Sequence, residues 1–198
     1  MRCILVAGMP ASGKSTVARY LSEQMKLPMI SKDSLKEVLF DTIGFCSREE
    51  KNKLGVASAG LMFHMAEQFM QVGESFILEN NFGDISKPQI MELLEKYHYT
   101  AITVRLTGDY EKIYERFAKR DRSPERHRGH VVNDCYPEKE GSTQENPTMM
   151  THERFLQGIE HRGYDSFCAN GPLIVVDTTN IDAVELEGIL GEVRKYID

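Results

Sequence analysis

One stretch constrains the fold of this chain more than any other. Arg2-Cys-Ile-Leu-Val-Ala7 is a short aliphatic run, and Gly8-Met-Pro-Ala-Ser-Gly13 interrupts it with two glycines and a proline. Lys14-Ser15 then opens a segment in which Val17, Ala18, Leu21 and Met25 recur at helical spacing. Strand, loop and helix follow one another, and the loop reads G-x-x-x-x-G-K-[ST] in full. The glycines let the backbone turn with its amide groups pointing inward, and the helix that follows adds the positive end of its dipole to the same place. Such a loop is built to hold phosphate. Gly8, Met9, Pro10, Ala11, Ser12, Gly13, Lys14, Ser15 and Thr16 are therefore expected to surround the phosphates of a nucleotide. Lys14 is expected to reach the β- and γ-phosphates as an exposed loop charge, Ser15 to ligate Mg²⁺ through its hydroxyl, and Thr16 to donate to the α-phosphate.

The rest of the chain alternates between the two periodicities. Pro28 to Ile30 reads as a brief strand, and Ser34 to Ile43 as a helix that Ser34-x-x-Glu37 would start as a capping box. Arg48 to Val72 reads as a long helix stopped by Gly73, with Leu54, Leu61, Met65, Phe69 and Val72 on its apolar stripe and Ala57 and Gly60 permitting close approach. Strands are expected at Ser75 to Leu78, Tyr99 to Leu106 and Leu173 to Val176, and helices at Lys87 to Tyr97, Asp109 to Lys119 and Asp182 to Ile197. This order implies an α/β fold of three layers, a parallel five-stranded sheet with helices on both faces joined by right-handed crossovers. A chain of 198 residues suits one such domain, 1–198, and the carboxyl ends of its strands are where ligands should sit.

Composition narrows the functional classes. Hydrophobic residues make up 41% of the chain and charged residues 27%, so a packed core is expected. No run of apolar residues approaches the roughly 18 needed to span a membrane, and the opening residues lack a signal-peptide pattern, which leads to an expectation of a cytoplasmic protein with no membrane partner. The four cysteines form no Cys-x-x-Cys pair, which fits a reducing compartment, and Cys3 and Cys168 read as small core residues. A net charge of −6 argues against coating nucleic acid by bulk electrostatics.

Two carboxylates fall where such a fold would place its chemistry. Asp33, just after the second strand, would face the γ-phosphate and accept or orient the proton of an acceptor hydroxyl; its plainer reading is a helix starter beside Ser34. Phe76-Ile-Leu-Glu79 has the form of an apolar strand ending in an acid, so Glu79 is a candidate for the Mg²⁺ shell, with Asn80 and Asn81 beside it. Arg116 and Arg120 share a helix face and precede Arg122, Arg126 and Arg128. Between Arg116 and His130 six Lys or Arg stand against two acids, Asp121 and Glu125. From about 122 to 150 the sequence is charged and poor in apolar residues, which reads as a lid insertion whose arginines clamp a phosphoryl group in flight; a solvated basic face is the alternative. His127-x-x-His130 with Cys135 lacks the paired ligands of a structural zinc site and is read as phosphate- or acceptor-assisting, or as exposed.

Gly8 to Ser15, Ser31-Lys-Asp33-Ser, Phe76 to Phe82 and Arg116 to His130 together resemble the small P-loop kinase group, which includes polynucleotide 5′-kinases, chloramphenicol phosphotransferase, zeta toxins and AAA-like ATP-binding proteins. The resemblance runs over roughly residues 2 to 130, and Asp177-Thr-Thr stands where such proteins often place a loop near adenine. It implies ATP and Mg²⁺ as cofactors, Lys14 and Ser15 handling phosphate and metal, Asp33 facing the acceptor hydroxyl, and Arg116 and Arg120 stabilising the transferred phosphoryl group. Glu79-Asn-Asn departs from the Asp-Thr-Asn type of the polynucleotide kinases and favours a small-molecule acceptor over a nucleic acid end. The competing functions are a nucleotide-driven binding module without transfer chemistry, a polynucleotide 5′-hydroxyl kinase and a toxin acting on a nucleotide sugar. A regulatory GTPase is disfavoured because the sequence has no Asn/Thr-Lys-x-Asp segment to read guanine.

Overall fold

The computed structural model describes residues 1–138 and 150–197. At its centre lies an all-parallel five-stranded sheet in the order β2-β3-β1-β4-β5, formed by β1 (Arg2–Gly8), β2 (Met29–Ser31), β3 (Ile77–Glu79), β4 (Thr100–Thr107) and β5 (Leu173–Asp177). Side chains alternate across a strand, so an unbroken apolar run belongs to a strand covered on both faces. β1 is such a run. Its Ile4 and Val6 join Ile102 and Val104 of β4 beneath α1 (Lys14–Met25) and α8 (Leu186–Arg194). Its Cys3, Leu5 and Ala7 point the other way, toward Met62, Phe63, Ala66 and Met70 of α3 (Arg48–Val72) and Ile90 and Leu94 of α4 (Lys87–Lys96). The three layers expected from the alternating periodicities are present.

Two smaller apolar clusters fix the rim above the strands' carboxyl ends. Met9, fully buried, anchors the glycine loop among Ile113 and Phe117 of α5 (Tyr110–Asp121) and Phe155 and Ile159 of α7 (His152–Glu160). Phe40 of α2 (Lys32–Ile43) packs with Phe45, Leu54 and Val132, binding the short α6 (Arg128–Val131) to the α2–α3 pair. The expected lid segment, 122–150, is described over 122–138 and at Met150, and residues 139–149 lie outside the described residues. Its described part is packed: Val132 is fully buried, and Tyr136 forms an antiparallel bridge with Phe45.

Several local expectations are corrected. The cap of α2 is Ser31, whose hydroxyl accepts from the Ser34 amide at 3.4 Å, so the helix starts earlier than a Ser34 capping box would have it. Asp33 consequently lies in the first helical turn and not in a loop before it. On α3, Leu61, Met65 and Val72 are exposed at 42%, 38% and 73%, whereas Met62, Ala66 and Met70 face the core. Ala57 and Gly60 are exposed as well, with open space around Gly60. The last helix is divided into a 3-10 turn at Ile181–Ala183 and α8. Cys3 is a core residue, but Cys168 is only half-buried.

Candidate active site

The glycine loop takes its shape from crowding as much as from flexibility. Gly8 has φ +136°, and a Cβ there would meet the Leu106 carbonyl oxygen at 2.2 Å, so neither conformation nor space admits a side chain. Gly13, at φ +90°, occupies the cap position of α1, which receives no side-chain cap. The amides of Lys14 and Ser15 at the start of α1 are thus left for a ligand, while that of Thr16 donates to the Gly13 carbonyl at 3.1 Å. Ser12 is fully buried and its Oγ finds no hydrogen-bond partner among the described residues. Lys14 is buried as well, not the exposed charge expected: its Nζ donates to the Met9 carbonyl at 2.6 Å, and burial pushes its pKa down to about 8, against the pull of Glu79 and Asp33. An uncapped helix start, an orphaned hydroxyl and a desolvated ammonium all fit an anion with several oxygens.

The loop forms one wall of a cleft of about 940 Å³, a size at the upper end of small-ligand sites. Lys14, Ser15, Asp33, Glu79, Arg116 and Arg120, gathered from four elements, all line it. Glu79 ends β3 beside Ser31 of β2 and is buried; its Oε2 accepts from the Ser31 hydroxyl at 2.5 Å. One residue thus caps α2 and orients a carboxylate at the sheet edge. Asp33 is 52% exposed toward the cleft and lies 3.6 Å from the Lys32 ammonium. Crowding by protein raises its pKa, but Lys32, His130, Arg126 and Lys14 together outweigh that effect and hold it at about 2. It is an anion at any ordinary pH.

The two expected arginines differ in their anchoring. Arg116 donates from Nε to the Ala11 carbonyl at 3.3 Å and from Nη1 to the Thr179 carbonyl at 3.1 Å, which ties the glycine loop to the segment after β5. Its Nη2 is buried without a partner among the described residues. Arg120 pairs with Asp121 at 3.2 Å and lies over the Phe117 ring at 5.3 Å to the centroid. The Asp177-Thr-Thr segment is itself fastened to β4, since Thr178 donates from both N and Oγ1 to the Thr107 carbonyl at 2.7 and 2.9 Å.

The histidines are held, not exposed. His130 Nε2 lies 2.8 Å from Glu37 and His127 Nε2 3.0 Å from Asp41, both acids on α2, and both rings pack against Phe40. Lys51 of α3 is buried and donates to the carbonyls of His130 and Val132 at 2.8 and 2.5 Å. The charge-rich segment is therefore fixed by its backbone to the α2–α3 pair. Among the described residues no group of three or more His, Cys, Asp or Glu is placed to hold a metal by itself. The oxygen donors available, Ser15 and Glu79 with Asp33 nearby, suit Mg²⁺, which keeps waters and takes the remaining ligands from phosphate. Arg126, expected among the arginines of the lid segment, lines the cleft, and so do Lys32, Lys36, Arg48 and Arg154, which were missed in the sequence. Lys32 and Lys36, one turn apart around Asp33, offered a signal that helical spacing alone could have found.

A family model for an AAA domain matches residues 4–140, more than half of the chain and including the glycine loop, Asp33, Glu79 and both arginines. The chain belongs to that family, whose members are P-loop kinase-like. A search of curated proteins finds no match to the sequence. Among solved structures, a candidate kinase from Chloroflexus aurantiacus J-10-fl superposes with a TM-score of 0.80 at 28% identity, covering 100% of this chain and 98% of that one. Shikimate kinase from Acinetobacter baumannii, in complex with shikimate, gives 0.56 at 14% identity, covering 99% of this chain and 92% of its own. Kti12 from Chaetomium thermophilum, in complex with ADP-AlF3, gives 0.57 at 16% identity with 99% coverage of both. At those two identities the likeness is one of fold. The family match and the Chloroflexus neighbour together support a nucleotide-binding, kinase-type function for this AAA domain protein.

Proposed function

We propose that this protein is an ATP-dependent phosphotransferase that moves the γ-phosphate to a hydroxyl group of a small molecule. The observation that carries the reading is the presence of a half-exposed carboxylate, Asp33, in the same cleft as the phosphate loop, kept ionised by the cations around it.

The acceptor oxygen attacks the γ-phosphorus, the bond from that phosphorus to the β,γ-bridging oxygen breaks, and ADP departs with the electron pair. Asp33 orients the hydroxyl and receives its proton late, when the acceptor oxygen has already bonded to phosphorus, and then releases it to water. At a pKa of about 2 it is a weak base, so positioning is its larger contribution. Lys14 follows charge from the γ- to the β-phosphate, and Arg116 and Arg120 meet the charge that spreads over the equatorial oxygens. Ser15 and Glu79 would hold Mg²⁺ or its waters, and the ion would supply neutralisation of the phosphate oxygens. The segment at 122–150 acts in this reading as a lid that excludes water.

The test is a screen for ATP-dependent phosphorylation of nucleosides, polyols, hydroxy acids, antibiotics and oligonucleotide ends, with the phosphorylated product identified by ³¹P NMR. Phosphorylated product that disappears in Asp33→Asn supports the reading. ATP hydrolysis indifferent to every acceptor and to Asp33→Asn would reduce the protein to a nucleotide-driven module.

A further inference from the structure

The far side of the cleft from the phosphate loop is unusually basic for a protein of net charge −6. Lys32, Lys36, Arg48, Arg126 and His130 all line it. Some of that charge is spoken for: Lys32 lies against Asp33, and His130 against Glu37. Lys36 differs. It is half-buried between α2 and α3, its Nζ stands over the Phe40 ring at 5.2 Å from the centroid, and it has neither an ion pair nor a hydrogen bond among the described residues. Its charged neighbours, Lys32 and Arg126, repel it, and only Asp33 attracts it. Arg126 has ion-pair partners, but loose ones. Its Nε is buried and without a hydrogen-bond partner among the described residues, with Asp121 at 3.7 Å and Glu37, already engaged by His130, at 3.9 Å from Nη1.

A half-buried lysine with no counter-ion in contact, beside a largely buried arginine whose two ion pairs at 3.7 and 3.9 Å are longer than hydrogen bonds, is costly to keep, and a fold that holds both against one cleft is complementary to an anion that enters it. Resting on the phosphotransferase reading above, we propose that the acceptor is a small molecule carrying a carboxylate or phosphate group near the hydroxyl that is phosphorylated, and that Lys36 and Arg126 hold that group. The spacing sets its size. Positions 33 and 36 are neighbours on one helix face, with Cβ atoms about 5–6 Å apart, so the hydroxyl seated at Asp33 and the anion seated at Lys36 belong to one compact molecule. The guanidinium of Arg126 offers planar, paired donors for two oxygens of either group. Asp33 then has a second task, since its fixed negative charge keeps the anionic end of the acceptor from entering the phosphoryl-transfer position in reverse orientation.

The decisive measurement uses matched acceptor sets, each a neutral polyol with its carboxylate and its phosphate monoester, together with oligonucleotide 5′ ends, assayed by ADP release and ³¹P NMR. Transfer is expected to the carboxylate or the phosphate member, which tells the two anions apart, with the neutral polyol at least about 10-fold poorer. Lys36→Met is expected to raise the KM for the acceptor about 10- to 100-fold while the KM for ATP stays put, and Lys36→Arg is expected to restore most of the loss. Equal use of the neutral polyol, an acceptor KM indifferent to Lys36→Met, or a preference for oligonucleotide ends with steep salt dependence would each overturn the proposal. A binding experiment separates it from the phosphotransferase reading. Inorganic phosphate is titrated calorimetrically into protein saturated with Mg²⁺ and a non-hydrolysable ATP analogue. Phosphate binding that Lys36→Met abolishes supports the anion seat even if no acceptor is ever phosphorylated; no binding, or equal binding to the variant, overturns it.

Discussion

Lys14 is pulled in opposite directions by its burial and by its chemistry. Burial brings its pKa down to about 8, Glu79 and Asp33 raise it, and Arg120 and Lys32 lower it further. Nucleotide phosphates would bring several negative charges to its ammonium and raise that pKa again. In the nucleotide-free protein Lys14 is therefore about half neutral at pH 8 and largely neutral at pH 9, and binding in this window must take up part of a proton. Calorimetry of Mg·ATP-analogue binding in buffers of different ionisation heat should show net proton uptake at pH 8.5 that vanishes in Lys14→Met, with affinity falling as pH rises through this window. Affinity flat from pH 7 to 9.5 would contradict the lowered pKa of this residue. Asp33 is the reverse case. At about 2 its pKa is so low that transfer should show no acid limb from this carboxylate near pH 4, and Asp33→Asn should lower transfer by about 10² to 10⁴ while nucleotide affinity stays near wild type. Unchanged transfer in that variant would leave Asp33 as a first-turn helix acid, favourable to the dipole and nothing more.

At the level of elements, α2 concentrates the site. Ser31 caps it, Asp33 and Lys36 reach the cleft, Glu37 and Asp41 receive the histidines of the charged segment, and Phe40 is buried beneath α6. That last contact is close. A Cβ on Gly129 would lie 2.4 Å from Cδ2 of Phe40, a ring with no room to retreat. Gly129→Ala should accordingly destabilise the protein by about 1–3 kcal/mol, read as a lower urea midpoint at constant m-value. A midpoint unchanged by the substitution would mean that α6 is not seated on Phe40. Much of this region was hard to read in the sequence, for physical reasons. The phosphate loop and the alternating strands were legible because each obeys a local rule, a fixed glycine spacing or a buried apolar run. The face of α3 was not: apolar residues surround the helix, so a stripe through Leu61 and Met65 competes with the one through Met62 and Ala66, and only packing against the sheet decides. The α2 cap was misplaced because Ser34, with Glu37 three residues on, matches the capping-box pattern, whereas Ser31 caps the helix with no acid at that distance. The cations of the acceptor side come from α2, α3, α6 and the chain just before it, and their meeting is a tertiary fact with no local signature.

In the whole molecule, the segment proposed as a lid is joined to the α2–α3 pair by Lys51, Val132 and the Phe45–Tyr136 bridge, so its described part can close over a nucleotide only together with that pair. Limited trypsin digestion tests this arrangement. Arg126 and Arg128 should resist cleavage in the nucleotide-free protein, and any cut elsewhere within 122–150 should slow when Mg²⁺ and an ATP analogue are added. Rapid cleavage after Arg126 without nucleotide would show that the segment is not held by α2 and α3. The sheet order has a different consequence, in the time the fold takes to assemble. β1 is the central strand, and its neighbours are β3, where Ile4 pairs with Ile77, and β4, where it pairs with Ile102. Those partners lie about seventy and about a hundred residues further along the chain, so both pairings close long loops and neither can form early. The turn at Gly8 also rests against Leu106 at the end of β4. On a ribosome the glycine loop therefore emerges well before anything exists to shape it, and a nascent chain should gain the ability to hold nucleotide only after β4 has left the exit tunnel.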